Sequence, residues 1–260
     1  MRRIAAGLIV IMSVLLVSCK GKTGNTITVG SDKLDNTQSY FSESMHKAAR
    51  CDSGYYYLDK CGASADNLMF YDDKSEESIV LCNKPQCGHD GEECMAYISG
   101  SEFKSELYYY NSYIYMISSK GNLVRISADG TQRTDLGSIC VLSGQDSVSM
   151  CFNDGYAYVS QEITGDIEGN VTVRLYRFNL DTGLSDKIYE ETGYGIGINS
   201  LKTYGSDTFF LKTSVSKDDK GLYSLEGKGI FRITGENTEC LLDKNVYSYC
   251  IDADNNKLYY

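Results

Sequence analysis

Three cysteines and one histidine lie in one short segment whose residue types and spacing suit a metal site. The segment CNKPQCGHDGEEC has the spacing C-x4-C-x-H-x4-C and offers Cys82, Cys87, His89 and Cys94 as ligands. Three thiolates and one imidazole are a complete tetrahedral set for zinc, and the loops between them are short enough to wrap one ion. The spacing departs from the usual paired CxxC form, so the segment predicts one structural zinc and leaves other uses of the thiols open.

The N-terminus has the three-part layout of an export signal. Two arginines precede an uncharged apolar run over 4–17, which is too short to span a bilayer as a helix, and Ser18 and Cys19 follow it. The end of the run, Leu-Val-Ser-Cys, resembles the lipobox of bacterial lipoprotein signal peptides. The resemblance implies that 1–18 is removed, that Cys19 carries the lipid, and that the protein sits on the extracytoplasmic face of a bacterial membrane. Stable anchoring by two or more acyl chains is consistent with this chemistry.

Export places the remaining cysteines in a compartment where disulfides can form. Ten cysteines are present, and nine remain after acylation of Cys19. Local spacing predicts the bridges Cys51–Cys61, Cys140–Cys151 and Cys240–Cys250, which leave the three cysteines of the metal segment. That remainder fits a metal site or one bridge with a free thiol. A third interpretation is that these cysteines stay reduced and buried because the organism lives in an anaerobic habitat.

Two landmarks repeat along 51–260 and define the elements that must position the metal segment. The first is a turn followed by aromatic residues, whose last aromatics stand at 57, 115, 158, 210 and 259. The second is an apolar strand centred on Phe70, Arg125, Arg177 or Arg232, a slot that recurs every 52 to 55 residues. We expect each Arg to make a structural salt bridge to a turn Asp, and most of the 22 Tyr to pack in the core.

A period of 45 to 55 residues with several strands per unit resembles β-propeller repeats. The resemblance implies an all-β propeller domain over 51–260, with four units and the start of a fifth, truncated at its C-terminus. A β-sandwich or solenoid is the alternative. The metal segment, lying after the first unit, is similar to a Cys/His-containing segment in uncharacterised surface lipoproteins of Clostridia-type bacteria. Residues 19–50 are expected to form a lipidated polar tether, with one short helix around 42–50.

Charge and motifs narrow the function. The net charge of −10 falls to −12 when Arg2 and Arg3 are cleaved away, and such an acidic surface argues against nucleic acid as a partner. The sequence contains no phosphate-binding glycine loop, nucleophile elbow or HExxH, and we assign no catalytic residue. We expect a binding or scaffolding domain for a surface glycan, peptide or protein. The alternative is a polysaccharide lyase or glycosidase with two carboxylates facing a central channel.

Overall fold

The computed structural model describes 48–100, 102–165, 169–204, 207–235, 237–252 and 255–260, and this part of the chain folds into β-strands joined by turns and loops. The strands are rich in Tyr, Val, Ile and Phe, which suit half-buried pleated surfaces. The strands are β1 (Ala48–Cys51), β2 (Gly54–Lys60), β3 (Ala65–Asp72), β4 (Glu77–Val80), β5 (Tyr97–Ser99), β6 (Tyr108–Tyr110), β7 (Tyr113–Ile117), β8 (Asn122–Ser127), β9 (Arg133–Ser138), β10 (Ser147–Asn153), β11 (Tyr156–Thr164), β12 (Asn170–Asn179), β13 (Ser185–Tyr194), β14 (Gly197–Tyr204), β15 (Asp207–Lys217), β16 (Tyr223–Thr234), β17 (Asn237–Leu242), β18 (Cys250–Asp252) and β19 (Lys257–Tyr259).

The strands form four successive antiparallel sheets and a two-stranded fifth. Sheet 1 contains β1 to β5, sheet 2 contains β6 to β9, sheet 3 contains β10 to β13, and sheet 4 contains β14 to β17. Strands β18 and β19 pair as sheet 5. In each larger sheet, four strands lie side by side in chain order, so every unit is an antiparallel meander. The all-β prediction is confirmed, and each repeat in the sequence corresponds to one sheet.

The two sequence landmarks occupy equivalent strands. The aromatic segments form the second strand of each sheet, and the Phe or Arg slots form the third. Arg125 and Arg177 pair in register with Tyr115 and Tyr158, the last aromatic residues of their units. Two-residue turns with positive φ precede the aromatic strands of sheets 2 and 3, as tight hairpins require. The landmarks therefore repeat together because they are partners in one hairpin.

The core consists of clusters of buried side chains, each built from two consecutive sheets. One cluster joins sheets 1 and 2, a second joins sheets 2 and 3, a third joins sheets 3 and 4, and the last joins sheets 4 and 5. Aromatic residues dominate the second cluster, where Phe152 of sheet 3 stacks on Tyr110 of sheet 2 with ring centroids 5.0 Å apart. Tyr108 and Tyr115 are also fully buried there, as predicted for core tyrosines, whereas others such as Tyr194, Tyr223 and Tyr247 are exposed.

The first strands of neighbouring sheets lie beside one another. Contacts run from β1 to β6, from β6 to β10 and from β10 to β14. Side chains cross the same junctions, since the Thr203 hydroxyl on β14 donates to the carbonyl of Phe152 on β10 at 2.5 Å. The sheets are thus arranged in series, with their first strands on a common side.

Two details at the start of the chain differ from expectation. Residues 48–50, expected at the end of a short helix around 42–50, belong to strand β1, because Ala48 to Cys51 pair with Tyr57 to Gly54. The first sheet accordingly starts at Ala48 and not at residue 51. Residues 42–47 lie outside the described part of the chain, as do the export signal, Cys19 and the rest of the tether. Within the described residues no helix is long and apolar enough to cross a bilayer.

Two of the three repeated arginines pair with acids on neighbouring strands, where a salt bridge to a turn Asp was expected. The Arg177 guanidinium lies 3.5 Å from the Asp186 carboxylate on β13. Arg232 contacts Glu239 on β17 and lies 3.5 Å from Asp207 on β15. Arg125 instead lies over the ring of Tyr113, 4.7 Å from its centroid. The arginines at these equivalent positions therefore each contact a side chain on a neighbouring strand, and the partner differs from sheet to sheet.

Candidate metal centre

The metal segment interrupts the outer edge of sheet 1. Strand β3 has two partners on this side, because its C-terminal half pairs with β4 and its N-terminal half pairs with β5. The chain leaves the sheet after β4, forms the loop that carries the cysteines, and returns as β5. Backbone hydrogen bonds hold both ends, since Leu81 N donates to Leu68 O and Leu68 N donates to Ala96 O, each at 2.8 Å. One residue of β3 therefore anchors both ends of the loop.

The loop brings the four predicted ligands together. The thiol sulfurs of Cys82, Cys87 and Cys94 and a ring nitrogen of His89 all lie within 4.8 Å of one another. Within the cluster, His89 Nδ1 and Cys94 Sγ lie 3.3 Å apart. His89 has a positive φ of 57°, a conformation uncommon for residues other than glycine, and this local fold directs the chain back on itself. The four residues that the sequence predicted as ligands therefore do lie together in one cluster.

The cluster is half-closed to solvent. Cys94 is buried, while the other three ligand side chains are half-buried. An open cavity of about 370 Å³ adjoins it and is bordered by Lys84, Glu93 and the loop glycines. The Lys84 ammonium lies 3.3 Å from the Glu93 carboxylate across this opening. Cys87, His89 and Cys94 thus line the cavity together with these charged residues.

The thiols influence one another's ionisation. The pKa of Cys94 is raised to about 11, first by burial and also by its neighbours Cys82 and Cys87. Burial also acts on Cys82, but the backbone N–H of Lys84 and the thiol of Cys94 outweigh it and lower the pKa of Cys82. Cys82 is therefore the thiol of this pair that more readily becomes a thiolate, the form that binds metal.

The cluster also packs against the boundary between sheets 1 and 2. Cys94 belongs to the apolar core shared by these sheets, and Cys82 and Cys87 pack on its edge. The turn between β8 and β9 reaches the start of the loop, where a Cβ on Gly130 would lie 2.6 Å from the Leu81 carbonyl oxygen. Only glycine permits this close approach. The loop is accordingly fixed by contacts with two sheets.

Zinc fits this donor set. Tetrahedral coordination with Zn–S bonds of about 2.3 Å requires ligand atoms roughly 3.8 Å apart. The observed separations are all within 4.8 Å, so the longest needs to shorten by about 1 Å or less, while the His89–Cys94 separation of 3.3 Å is already short enough. Four protein ligands would fill every position of a tetrahedral ion, which is the arrangement of structural and not catalytic zinc sites.

Two of the other described cysteines lie on the same sheet as the metal loop: Cys51 shares the core of sheets 1 and 2 with Cys94, and Cys61 contacts the loop. The Cys61 thiol donates to the backbone carbonyl of His89 at 3.4 Å. Cys140 packs in the core between sheets 2 and 3, whereas Cys151 packs in the core between sheets 3 and 4. Cys240 and Cys250 are exposed and lie on different sheets. All nine described cysteines are thiols in this structure, and the bridges Cys51–Cys61, Cys140–Cys151 and Cys240–Cys250 stay predictions.

A polar pocket between sheets 2, 3 and 4 was not predicted from the sequence. It contains Glu106 and Glu162 together with several serines. Glu162 follows the fully buried Gln161 near the end of an apolar strand, and two successive polar residues at such a position are the signal that the sequence did offer. One donor to Glu162, the Ile198 N–H, comes from another sheet, and no local pattern reveals that contact.

The fold and the cluster together define an all-β repeat protein with a Cys3His loop on its first sheet. No protein-family model matches the chain, and no curated protein sequence matches it. Among solved structures, it is similar to an oligogalacturonate lyase in complex with manganese (11% identity, 75% of this chain and 50% of that one, TM-score 0.43). It is also similar to a quinohemoprotein alcohol dehydrogenase from Comamonas testosteroni (12% identity, 82% of this chain and 37% of that one, TM-score 0.43). A third similar structure is an oligogalacturonate lyase from Vibrio parahaemolyticus (9% identity, 87% of this chain and 71% of that one, TM-score 0.41).

The chain spans about half the length of the first of these structures and about a third of the second.

Proposed function

We propose that the protein is a lipid-anchored bacterial surface protein whose β-sheets form the blades of a propeller that binds a glycan, peptide or protein partner. One observation carries the propeller: four successive meanders of four strands lie in series with their first strands side by side. Propeller blades are four-stranded sheets arranged radially around a channel. The lipid anchor rests on the lipobox-like segment ending at Cys19.

In this proposal the Cys3His loop holds a structural zinc. The loop replaces a continuous outer strand of sheet 1, so its ends are tied to β3 while its middle has few backbone partners. An ion bound by Cys82, Cys87, His89 and Cys94 would fix that middle against the boundary of sheets 1 and 2. The donor set and its separations support this role.

The anchor and the binding role have separate tests. Cells fed an alkyne-bearing fatty acid should yield a labelled protein in the membrane fraction, and the Cys19→Ala variant should lose both the label and the membrane association. Labelling that persists in this variant would contradict the anchor. Cys240→Ser is the matched control, because Cys240 is an exposed cysteine far from the lipobox-like segment.

Binding is tested with the purified protein on arrays of neutral and acidic glycans and on peptides from the cell surface. Selective, saturable binding that competing soluble ligand removes would support the proposal. Equal retention of all the probes, or of none, would contradict it.

An enzyme acting on polysaccharides is the second candidate, because one observation favours it. Glu106 and Glu162 border the same pocket between the first strands of sheets 2, 3 and 4. Paired carboxylates serve as acid and base, or as acid and nucleophile, in glycoside hydrolysis. Release of new reducing ends or unsaturated sugars from a polysaccharide, abolished by Glu162→Gln, would establish this function. The absence of product after prolonged incubation would favour the binding protein.

A further inference from the structure

A polar pocket lies where the first strands of three sheets meet. It has a volume of about 300 Å³ and lies outside the metal centre. Strand β10 borders it centrally, with β14 on one side and the residues leading into β6 on the other. Ligand pockets start at about this volume, which suits one or two sugar units. The polar groups that face it are Glu106, Ser147, Ser149, Ser160, Glu162 and Asn199.

Glu162 is held in place by donors from two sheets. Its Oε1 accepts the backbone N–H of Ile198 in sheet 4 at 3.0 Å, and its Oε2 accepts the Ser147 hydroxyl of β10 at 3.4 Å. Burial raises the pKa of this carboxyl and outweighs both hydrogen bonds. A half-buried carboxylate with fixed orientation is a strong acceptor for ligand hydroxyls, because the protein has already paid its ordering cost.

The opposite wall contains an irregularity in β14. The register between β14 and β15 breaks between Asn199 and Lys202, and Ser200 has a positive φ of 53°. The Tyr249 hydroxyl donates to the Ser200 carbonyl at 2.6 Å and holds this bulge in place. Bulges re-aim side chains at binding sites, and here the bulge borders the pocket.

The chemistry of the walls selects the ligand. The Ser149 and Ser160 hydroxyls lie 2.8 Å apart and offer both donors and acceptors. None of the described residues that line the pocket is Lys, Arg or His, and two of them are glutamates. Uronates and phosphates would be repelled, whereas neutral hydroxyl groups can both donate to the carboxylates and accept from the serines.

We propose that this pocket binds one or two units of a neutral sugar, held by hydroxyl hydrogen bonds to Glu162 and to the Ser149–Ser160 pair. The proposal rests on the binding role proposed above and names its ligand class. An ammonium ligand fits less well, because it has no acceptor to offer to the serine hydroxyls and the Asn199 amide.

The test measures sugar affinity with the full-length protein in an amine-oxide detergent, since maltoside detergents would compete. Titration calorimetry with maltose, cellobiose and lactose is compared with digalacturonate and with a lysine-rich peptide. We expect a neutral disaccharide to bind at least tenfold more tightly than digalacturonate. Glu162→Gln and Ser160→Ala should each weaken that binding about tenfold or more.

The matched control is Glu226→Gln, because Glu226 also accepts a serine hydroxyl, from Ser216 at 2.6 Å, but lies on β16 outside the pocket. This variant should bind sugar like the wild type. Thermal unfolding of each variant verifies that it is folded.

Three results would overturn the inference: tighter binding of digalacturonate or the peptide, unchanged affinity in folded Glu162→Gln protein, or no response to any neutral disaccharide. Ligand binding that survives both pocket variants would leave the proposed binding role intact and reject the pocket alone. A protein that binds none of the glycan, peptide or protein probes would reject the binding role itself.

Discussion

The His89 ring nitrogen Nδ1 lies 3.3 Å from the Cys94 sulfur, although the two residues are separated by a turn that contains a glycine and three acids. His89 Nδ1 and the thiols of Cys82, Cys87 and Cys94 form one cluster on the edge of the first sheet. The relationship makes a metal ion the simplest ligand of this loop. It also determines which substitutions should matter.

Removal of one ligand should destabilise the domain. We expect His89→Ala to lose its bound zinc and to lower Tm by about 5 to 10 °C, since a metal at 100 times its Kd contributes about 2.7 kcal/mol and a domain of this size loses roughly 2 to 4 °C per kcal/mol. Differential scanning calorimetry with and without added zinc measures this. The control is His46→Ala, which changes the other histidine of the chain. Equal Tm values for His89→Ala and the wild type would contradict the prediction.

The ion pair between Arg232 and Asp207 should contribute more to the free energy of unfolding than an exposed ion pair does. Its guanidinium lies 3.5 Å from Asp207, whose side chain is only 5% exposed. Arg232→Met would leave that carboxylate buried, with the Thr234 hydroxyl donating to it but without its cationic partner, so we expect a loss of about 2 to 3 kcal/mol in chemical denaturation.

Arg174→Met is the control for this substitution, because Arg174 forms a more exposed pair with Glu190. It should cost less than about 1 kcal/mol. Losses of the same size in the two variants would show that the burial of Asp207 has no energetic consequence.

The half-buried carboxyl of Glu162 should make stability depend on pH. Its pKa in the folded state is raised above the ordinary 4.5, so the folded protein binds its proton more tightly than the unfolded chain does. Stability contributed by the protonated form is then present at low pH and lost as the pH rises above about 4.5 through the raised pKa. Glu162→Gln should therefore gain stability relative to the wild type over this range.

Glu190→Gln should show the opposite trend, though a small one. Lys187 and Arg174 lower the pKa of Glu190, so its carboxylate stabilises the folded state above the unfolded pKa, and this contribution is lost as the pH falls. Denaturation curves at several pH values between 4 and 7 measure both differences. A flat difference for Glu162→Gln would be evidence against its buried position.

Close backbone approach should make Gly121 irreplaceable. Gly121 has a φ of 87°, and an added Cβ would lie 1.9 Å from the Cys140 carbonyl oxygen. We expect Gly121→Ala to unfold the domain or to cost at least about 3 kcal/mol. Gly155 also has a positive φ, yet open space surrounds its Cβ position, so Gly155→Ala should cost only about 1 kcal/mol of backbone strain. Similar losses of stability at both positions would mean that the positive φ, and not the contact with the Cys140 carbonyl oxygen, causes the destabilisation.

Local patterns predicted much of this molecule. The aromatic segments and the Arg slots identified the second and third strands of each sheet, because their spacing reflects pairing within one hairpin. The metal cluster was predicted because its ligands lie in one short loop. Its attachment to both halves of β3 was not, since the pairing of β5 depends on contacts with Ala65 to Asn67, some thirty residues earlier.

Contacts between segments that are distant in the chain could not be predicted from the sequence. The partners of Glu162 include the Ile198 N–H of the next sheet, and no spacing within β11 indicates that contact. The expectation that 48–50 end a helix was wrong for the same reason, because pairing with β2 determines the conformation of Ala48 to Cys51. The acid partner of Arg177 likewise comes from a neighbouring strand and not from the adjacent turn.

The metal content of protein purified without chelator or reductant tests the central claim most directly. Elemental analysis with thiol counting should give one zinc per chain, and a Cys82→Ser and Cys87→Ser double variant should give none. A Cys240→Ser control should keep its zinc, because Cys240 lies outside the cluster. Wild-type protein without metal, and with a disulfide among Cys82, Cys87 and Cys94, would contradict the account.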